Sequence, residues 1–299
     1  MNSQTIIITH NGTAHVDDFM SCCLLLAKEK DVAKISRLPS STKIEDVIYD
    51  GKKIFVDIGR KFDITSNYFD HHQMESSFKT CSFNLLLTAY YGIPIEEQPT
   101  IIPQASFIGY VDTNGMISAL KDYFGIEDFI EPNTVMTTTS LVETLMLSWF
   151  AEETEIYPDQ ILFNTMKKIG QVLDKYINER IDFSMFVSSA IKKHPSICGK
   201  TICSLDCVIK KGFNDLVDAA ISEKGIYADI IISRNSQNPK QNCITRLDSS
   251  INFSKFDKFA NVEFAHKSGF FAVFKEGVSL HEILNTLKNY LKQTKGKYN

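Results

Sequence analysis

The sequence predicts an α/β fold: an N-terminal, mostly parallel sheet flanked by helices, a helical connector, and a smaller C-terminal α+β domain. Three observations carry this. Short β-rich runs alternate with helical patterns as far as Gly115. One long helical stripe then fills residues 158–191 and is broken at His194-Pro195. Strand-like runs return beyond it, two of them joined by the polar stretch Asn235–Gln241, whose Pro239 suits a hairpin loop. At 299 residues the chain is long for one core. The expected domains are residues 1–195 and 196–299.

The elements follow in order. Thr5–Thr9 is a β-rich run ending at His10-Asn11-Gly12. Asp17–Lys30 reads as a helix whose apolar residues (Phe19, Met20, Cys22 to Ala27) run nearly all the way round, so it is expected to be buried on several sides. Ile54–Ile58 is a second strand, closing at Asp57-Ile58-Gly59, and Ser66–Phe69 a third, delivering Asp70. Helices follow over Ser82–Tyr91, stopped by Gly92 and Pro94, and over Pro103–Val111, ending at the turn-like Asp112-Thr113-Asn114-Gly115. Thr138–Phe150 and Pro158–Ile191 are helical, the latter with Ile161, Met166, Ile169, Leu173, Tyr176 and Ile177 in one stripe. Strands are expected over Thr201–Ile209, Ala228–Ser233, Asn242–Leu247 and Gly269–Lys275. Ser279-Leu280-His281-Glu282 is a capping box that opens a final helix.

Composition narrows the class. Hydrophobic content of 43% and charged content of 23% are those of an ordinary globular protein. No apolar run reaches the ~18 residues that span a bilayer. Met1-Asn2-Ser3-Gln4 has neither the basic region nor the apolar stretch of a signal peptide. A cytoplasmic protein without membrane association is expected. The 7 cysteines are odd in number, and adjacent Cys22 and Cys23 point to different helix faces, so free thiols in a reducing compartment are expected. The net charge of −4 conceals an asymmetry: residues 1–190 hold 15 basic against 26 acidic side chains, and residues 191–299 hold 17 against 10. An acidic metal site facing a cationic substrate surface would produce this pattern, and so would two unrelated solvated surfaces.

Histidine concentrates the chemistry. Only 7 occur, and four of the 7 lie in two short segments, His10 with His15 and His71 with His72. In a parallel sheet, ligands bind beyond the carboxyl ends of strands. His10, Asp57 and His71 fall at such ends. A two-metal site needs several converging carboxylates and imidazoles, one of them shared by both ions. His10, His15, Asp17, Asp57, Asp70, His71, His72 and Asp112 form a sufficient donor set. Oxygen and nitrogen donors suit Mn²⁺ or Mg²⁺, and the lack of a Cys cluster argues against structural Zn²⁺. Taken singly, Asp57 and Asp112 read as turn residues and Asp17 or Asp18 as a helix-start acid. Taken together on one sheet edge, they read as a metal centre.

The order His10-x4-His15-x-Asp17, Val56-Asp57-Ile58-Gly59, Asp70-His71-His72-Gln73 and Val111-Asp112-x-Asn114-Gly115 resembles the DHH phosphoesterase superfamily. Thr9-His10-Asn11-Gly12 with His15 and Asp17, and Phe69-Asp70-His71-His72-Gln73, resemble its Myg (melanocyte-proliferating-gene type) branch. In the C-terminal domain, Phe264-Ala265-His266-Lys267-Ser268-Gly269-Phe270 is similar to the family's His-x-x-Gly-Phe element, although Phe271-Ala272-Val273-Phe274 replaces the run of glycines common after it. The resemblance implies a DHH domain and a phosphoesterase using two divalent ions, Mn²⁺ first and Mg²⁺ second. The Myg branch is associated with 3′–5′ exonuclease activity on RNA. Carried across by position, His10, His15 and Asp57 would hold one ion. Asp17, Asp57, His71 and Asp112 would hold the other, with Asp57 bridging. His15 stands where the wider superfamily has Asp. His72 would face the scissile phosphate and Asp70 would orient its neighbours. His266, Gly269, Arg234 and Lys211 would hold substrate.

The expected function is therefore a nuclease or oligonucleotide phosphodiesterase acting on single-stranded RNA or short oligonucleotides, with homo-oligomerisation an open option. Alternatives are a small-substrate phosphohydrolase acting on pyrophosphate or a cyclic dinucleotide, and an inactive metal-binding module. Phe270, Phe271 and Phe274 either stack bases or fill a strand core. Nothing in the sequence supplies a nucleophilic Ser or Cys arrangement or a His-Glu-x-x-His helix.

Overall fold

A computed structural model describes residues 4–75, 78–115, 118–119 and 138–295. The chain divides into two compact units, Met1–Glu179 and Arg180–Asn299. The division falls inside a long helix and not at His194-Pro195. The last turns of that helix belong to the second unit because Val187 and Ile191 pack with Cys203, Leu205 and Val217.

In the first unit, β1 (Thr5–His10), α1 (Val16–Lys28), β2 (Val32–Leu38), β3 (Lys52–Val56), β4 (Phe62–Asp63) and β5 (Tyr68–Phe69) precede α2 (Ser82–Tyr91), α3 (Gln98–Ile101) and α4 (Pro103–Asn114). Helix α5 (Thr138–Glu152), β6 (Glu155–Ile156) and the start of α6 (Ile161–Ala190) complete it. The sheet runs β4-β5-β3-β1-β2-β6. The pairs β1–β2, β1–β3 and β3–β5 are parallel, and the edge pairs β2–β6 and β4–β5 antiparallel. The expected mostly parallel sheet is thus present. Its centre is β1, whose Ile6, Ile7 and Ile8 are buried, as a strand covered on both faces requires. Strand β2, absent from the sequence-based reading, lies on one side of β1 and β3 on the other. This reversal of direction makes a switch point, where the carboxyl ends of β1 and β3 splay apart and leave a crevice.

Helix α1 packs on α2 and α5 and buries Asp17, Asp18, Phe19 and Cys22 to Leu26, which explains its all-round apolarity. On one sheet face Ile6, Ile8, Phe55 and Ile58 pack with Ile44, Val47 and Tyr49 from the β2–β3 connection. Helix α4 approaches α2 at Gly109, where a Cβ would lie 2.4 Å from Asn84 Oδ1. That close approach carries Asp112 towards the strand ends. Asp112 is not in a turn: α4 continues through Asn114, and Asp112 sits in its last turn. In α6, Met166 and Ile177 are buried as expected, whereas Ile161 at its start is exposed.

The second unit holds β7 (Lys192–Lys193), β8 (Ile202–Val208), α7 (Asn214–Glu223), β9 (Ile230–Arg234), β10 (Asn242–Arg246), β11 (Val262–Ala265), β12 (Phe271–Phe274) and α8 (Leu280–Lys295). Its sheet runs β11-β12-β10-β9-β8-β7, antiparallel except for β8–β9. Ile283, Leu287, Tyr290 and Leu291 of α8 close one face over Ile230, Ile232, Ile244 and Phe274. The capping box is formed: Ser279 N donates to Glu282 Oε2 at 2.8 Å and Glu282 N to Ser279 Oγ at 3.3 Å. All seven cysteines are free thiols. Among the described residues no helix is long and apolar enough to cross a membrane.

Candidate metal centre

Four segments of the first unit converge at the crevice. The end of β1 supplies His10, whose Nδ1 donates to Asn11 O at 2.8 Å and so directs Nε2 towards Asp57 Oδ2, 3.2 Å away. Asp57 follows β3 with φ +53°, a left-handed turn of the backbone that Asp tolerates better than most residues. Its carboxylate is buried between imidazoles: Oδ1 lies 3.3 Å from His71 Nε2 and 3.4 Å from His72 Nδ1. His71 Nε2 also lies 3.0 Å from Asp112 Oδ2, and His15 Nδ1 lies 3.7 Å from Asp112 Oδ1.

Asp17 is completely enclosed. Its two oxygens accept the first amides of α2, Ser82 N at 3.1 Å and Phe83 N at 2.7 Å. The positive end of that helix thus fixes the carboxylate. Asp70 is committed to the chain as well. Its Oδ2 accepts Arg60 N at 2.6 Å, and its Oδ1 accepts His72 N at 2.9 Å and His72 Nδ1 at 2.8 Å. His72 is therefore clamped by one ring nitrogen, while its side chain stays 52% exposed.

The charges in the site are mutually dependent. Facing Asp57 pushes the His10 imidazole up to about 9. Burial works against charge on His71, but Asp112 and Asp57 outweigh it and push the group up to about 10. Burial likewise works against the Asp57 carboxylate, yet the His10 and His71 imidazoles hold it below the ordinary carboxylate range. Burial, then Asp57 and Asp112, push Asp17 up to about 8, and burial pushes Asp18 up to about 6. The Asp70 hydrogen bond raises His72. A carboxylate cluster this deep requires positive charge.

Three overlapping donor groups result: His10–His15–Asp57, Asp57–His71–His72 and Asp17–His71–Asp112, with ligand atoms within 4.8 Å of one another. Donors on one cation at ~2.0–2.2 Å lie up to ~4.4 Å apart, so small rotations suffice. Asp57 Oδ1 and His71 Nε2 are buried without a hydrogen-bond partner. Buried polar atoms normally have partners. Two donors aimed at one another's surroundings and left unsatisfied, with only N and O donors about them, fit divalent cations.

Of the sequence-based candidates, His10, His15, Asp17, Asp57, Asp70, His71, His72 and Asp112 are brought together. The four in the second unit fall into two pairs at opposite ends of its own sheet. Arg234 ends β9 opposite Asn242, with Nε 2.6 Å from Asp206 Oδ1, and Lys211 is exposed beyond the neighbouring end of β8. His266 and Gly269 lie at the other end of the sheet, where His266 N donates to Phe271 O and Ala265 pairs with Ala272. Gly269 has φ +71° and abuts Asn252, so its requirement is local. Phe274 is core, Phe271 half-buried and Phe270 43% exposed, its ring 4.6 Å from that of His266. Arg37 escaped the sequence reading, in which Asp18 was weighed only beside Asp17. Asp18 is buried with Oδ2 3.6 Å from His10 Nε2, and Arg37 is buried behind it at 3.7 Å. The lone basic residue near the end of an apolar run, Ile35-Ser36-Arg37-Leu38, was the available signal.

A parallel sheet with an Asp-His-His segment and partner carboxylates at its switch point is the arrangement expected from the resemblance to the DHH phosphoesterase superfamily. Over residues 6–90, which carry every candidate donor except Asp112, the chain matches the model of the MYG1_exonuc family, described as Uncharacterised protein family (UPF0160). It is 25% identical over 198 residues to the MYG1 exonuclease of Homo sapiens, covering 58% of this chain and 50% of that protein. To the MYG1 exonuclease of Bos taurus it is 26% identical over 212 residues, covering 62% and 54%. The chain thus spans about half the length of these curated relatives. Among solved structures, a DHH domain described as a member of the s1p family of ribosomal proteins aligns at 13% identity and TM-score 0.31, covering 97% of this chain and 87% of that one. An exopolyphosphatase-related protein from Bacteroides fragilis aligns at 10% identity and TM-score 0.28, covering 98% and 93%.

Proposed function

We propose that the chain is a metal-dependent phosphodiesterase that removes nucleotides from the 3′ end of RNA or short oligonucleotides, with Mn²⁺ as working ion. The observation that carries the reading is Asp57, one buried carboxylate common to two donor groups and unsatisfied at Oδ1. In this reading His10, His15 and Asp57 hold one cation, and Asp17, Asp57, His71 and Asp112 the other. Two bound divalent ions supply Lewis acidity and activation of a water nucleophile at neutral pH. The chain's own residues do the rest. His72, clamped through Nδ1 by Asp70, presents Nε2 to a non-bridging phosphate oxygen and neutralises charge there. The names of the curated relatives support an exonuclease. The free thiols favour a cytoplasmic setting.

An apolar cleft favours a nucleotide over bare pyrophosphate. It measures about 360 Å³ and is lined by Ala14, Val16, Phe107, Ile108, Val111 and Leu147 beside His15, Asp17, Asp112 and Glu143. Pyrophosphate has no use for such a wall, whereas a nucleoside does. His266 and Gly269, with Arg234 and Lys211 at the other end of their sheet, would then touch different parts of an extended substrate. The test is a panel of end-labelled RNA, DNA, cyclic dinucleotide and pyrophosphate with and without Mn²⁺. Stepwise release of mononucleotides from the RNA 3′ end is expected. Turnover of pyrophosphate alone, or of nothing, overturns the reading.

A further inference from the structure

The Arg37 side chain is 0% exposed, a guanidinium inside the first unit. Its Nη1 donates to Phe150 O at 3.0 Å and its Nη2 to Gly12 O at 3.3 Å, while its plane lies 4.4 Å over the Phe150 ring. Its own amide donates to Thr154 O at 2.8 Å, and the next residue's carbonyl, Leu38 O, accepts Asn11 N at 2.7 Å. In front of it, Asp18 Oδ1 accepts His15 N at 2.8 Å and Phe19 N at 3.0 Å. Asp18 Oδ2 faces both His10 Nε2 at 3.6 Å and Arg37 Nη2 at 3.7 Å. A buried charge of this kind is costly, and an apolar side chain of equal volume would pack there at least as well. Its contacts explain its presence. Gly12 is the midpoint of the His10–His15 connection, Asp18 touches both histidines, and Phe150 and Thr154 tie the group to the far end of α5.

The two sides of the metal centre are supported differently. Asp17 is held by the amides of α2, whereas the loop from Asn11 to Ala14 has no regular structure of its own to set the distance between its histidines. We propose that Arg37 and Asp18 are positioning residues for the His10–His15 side of the centre: Asp18 orients His10 Nε2 and the His15 backbone, and Arg37 compensates Asp18 and pins the Gly12 carbonyl. This rests on His10 and His15 being cation donors. Lysine at position 37 keeps the charge but cannot reach Gly12 O and Phe150 O together.

The experiment compares the full chain with Arg37→Lys and with the charge-free pair Arg37→Met/Asp18→Asn. Mn²⁺ binding is followed by calorimetry and by electron paramagnetic resonance, and the histidine rings by imidazole nitrogen NMR without metal. Two ions are expected on the unaltered chain. In either folded variant one ion should bind at least tenfold more weakly and the other within twofold, with His10 signals moved and His71 signals in place. Unchanged affinities with unmoved His10 signals overturn the proposal. Equal weakening of both ions with a lowered melting temperature also overturns it, since that is general destabilisation. If the unaltered chain binds fewer than two ions, the two-ion reading falls, while the His10 signals still judge Arg37 and Asp18.

Discussion

The two sheets treat their strand ends in opposite ways. In the first unit β1, β3 and β5 are parallel, so His10, Asp57 and Asp70 all emerge at one edge, with His71 and His72 directly after. In the second unit the strands mostly alternate, so Arg234 and His266 lie at opposite ends although each follows or precedes a strand. A short motif at a strand end is therefore strong evidence of convergence only where neighbouring strands run in the same direction. The parallel edge gathers chemistry from distant segments, and the antiparallel sheet spreads it along a surface.

The comparison breaks most visibly at Asp57. Asn adopts the same left-handed backbone, so Asp57→Asn should keep a folded circular-dichroism spectrum while hydrolysis falls by at least ~10³-fold. A folded variant with full Mn²⁺-dependent turnover would remove the parallel edge from the chemistry. His72→Ala should lower kcat by roughly 10²-fold and leave Mn²⁺ stoichiometry intact, because its role is towards the phosphate. If calorimetry shows an ion lost with it, His72 is a ligand.

Protons offer a gentler probe of the same edge. With His10 near 9 and His71 near 10, both above the ordinary histidine value, the metal-free folded chain binds more protons than the unfolded chain across that interval. Their contribution to stability is complete below about pH 6.5 and is lost as pH rises through 9 to 10. Asp17, near 8, acts in the same direction at lower pH. The melting temperature of chelator-treated protein should therefore fall from neutral to alkaline pH, while Mn²⁺ affinity rises by roughly tenfold per pH unit for each proton displaced. A flat melting profile would contradict these assignments.

Changes in the second unit should leave the metal centre alone. Gly269→Ala places a Cβ 1.9 Å from Asn252 Oδ1 at φ +71°, so denaturant unfolding should show a loss of ~1–3 kcal/mol with Mn²⁺ binding unchanged. Arg234→Ala removes a pair to the exposed Asp206 and should cost no more than ~1 kcal/mol. A weakened Mn²⁺ site in either variant would show that the two regions are less separable than their sheets suggest.

The metal edge was legible because its donors cluster in sequence and each cluster follows an apolar β-rich run. Asp112 was legible as a donor but not as helical, since Asp-Thr-Asn-Gly has turn chemistry and the packing of α4 at Gly109 overrides it. Arg37 was not legible: a single arginine in a strand reads as a solvated face until the burial of its partner Asp18 is known. Strand β2 was missed for the same reason, its apolar alternation being interrupted by Lys34, Ser36 and Arg37. The convergence of Arg234 with His266 could not be judged from motifs, because strand direction decides it.

Asp17 has a consequence for how this protein tolerates change. Both of its oxygens rest on the opening amides of α2, a helix that begins after the connection leaving His72. Residues added to or removed from that connection would rotate or shift the helix start and carry a carboxylate of a different segment with it. Insertions there are thus felt at a position more than fifty residues earlier in the chain, which makes this connection a poor place for tags, domain grafts or loop exchange.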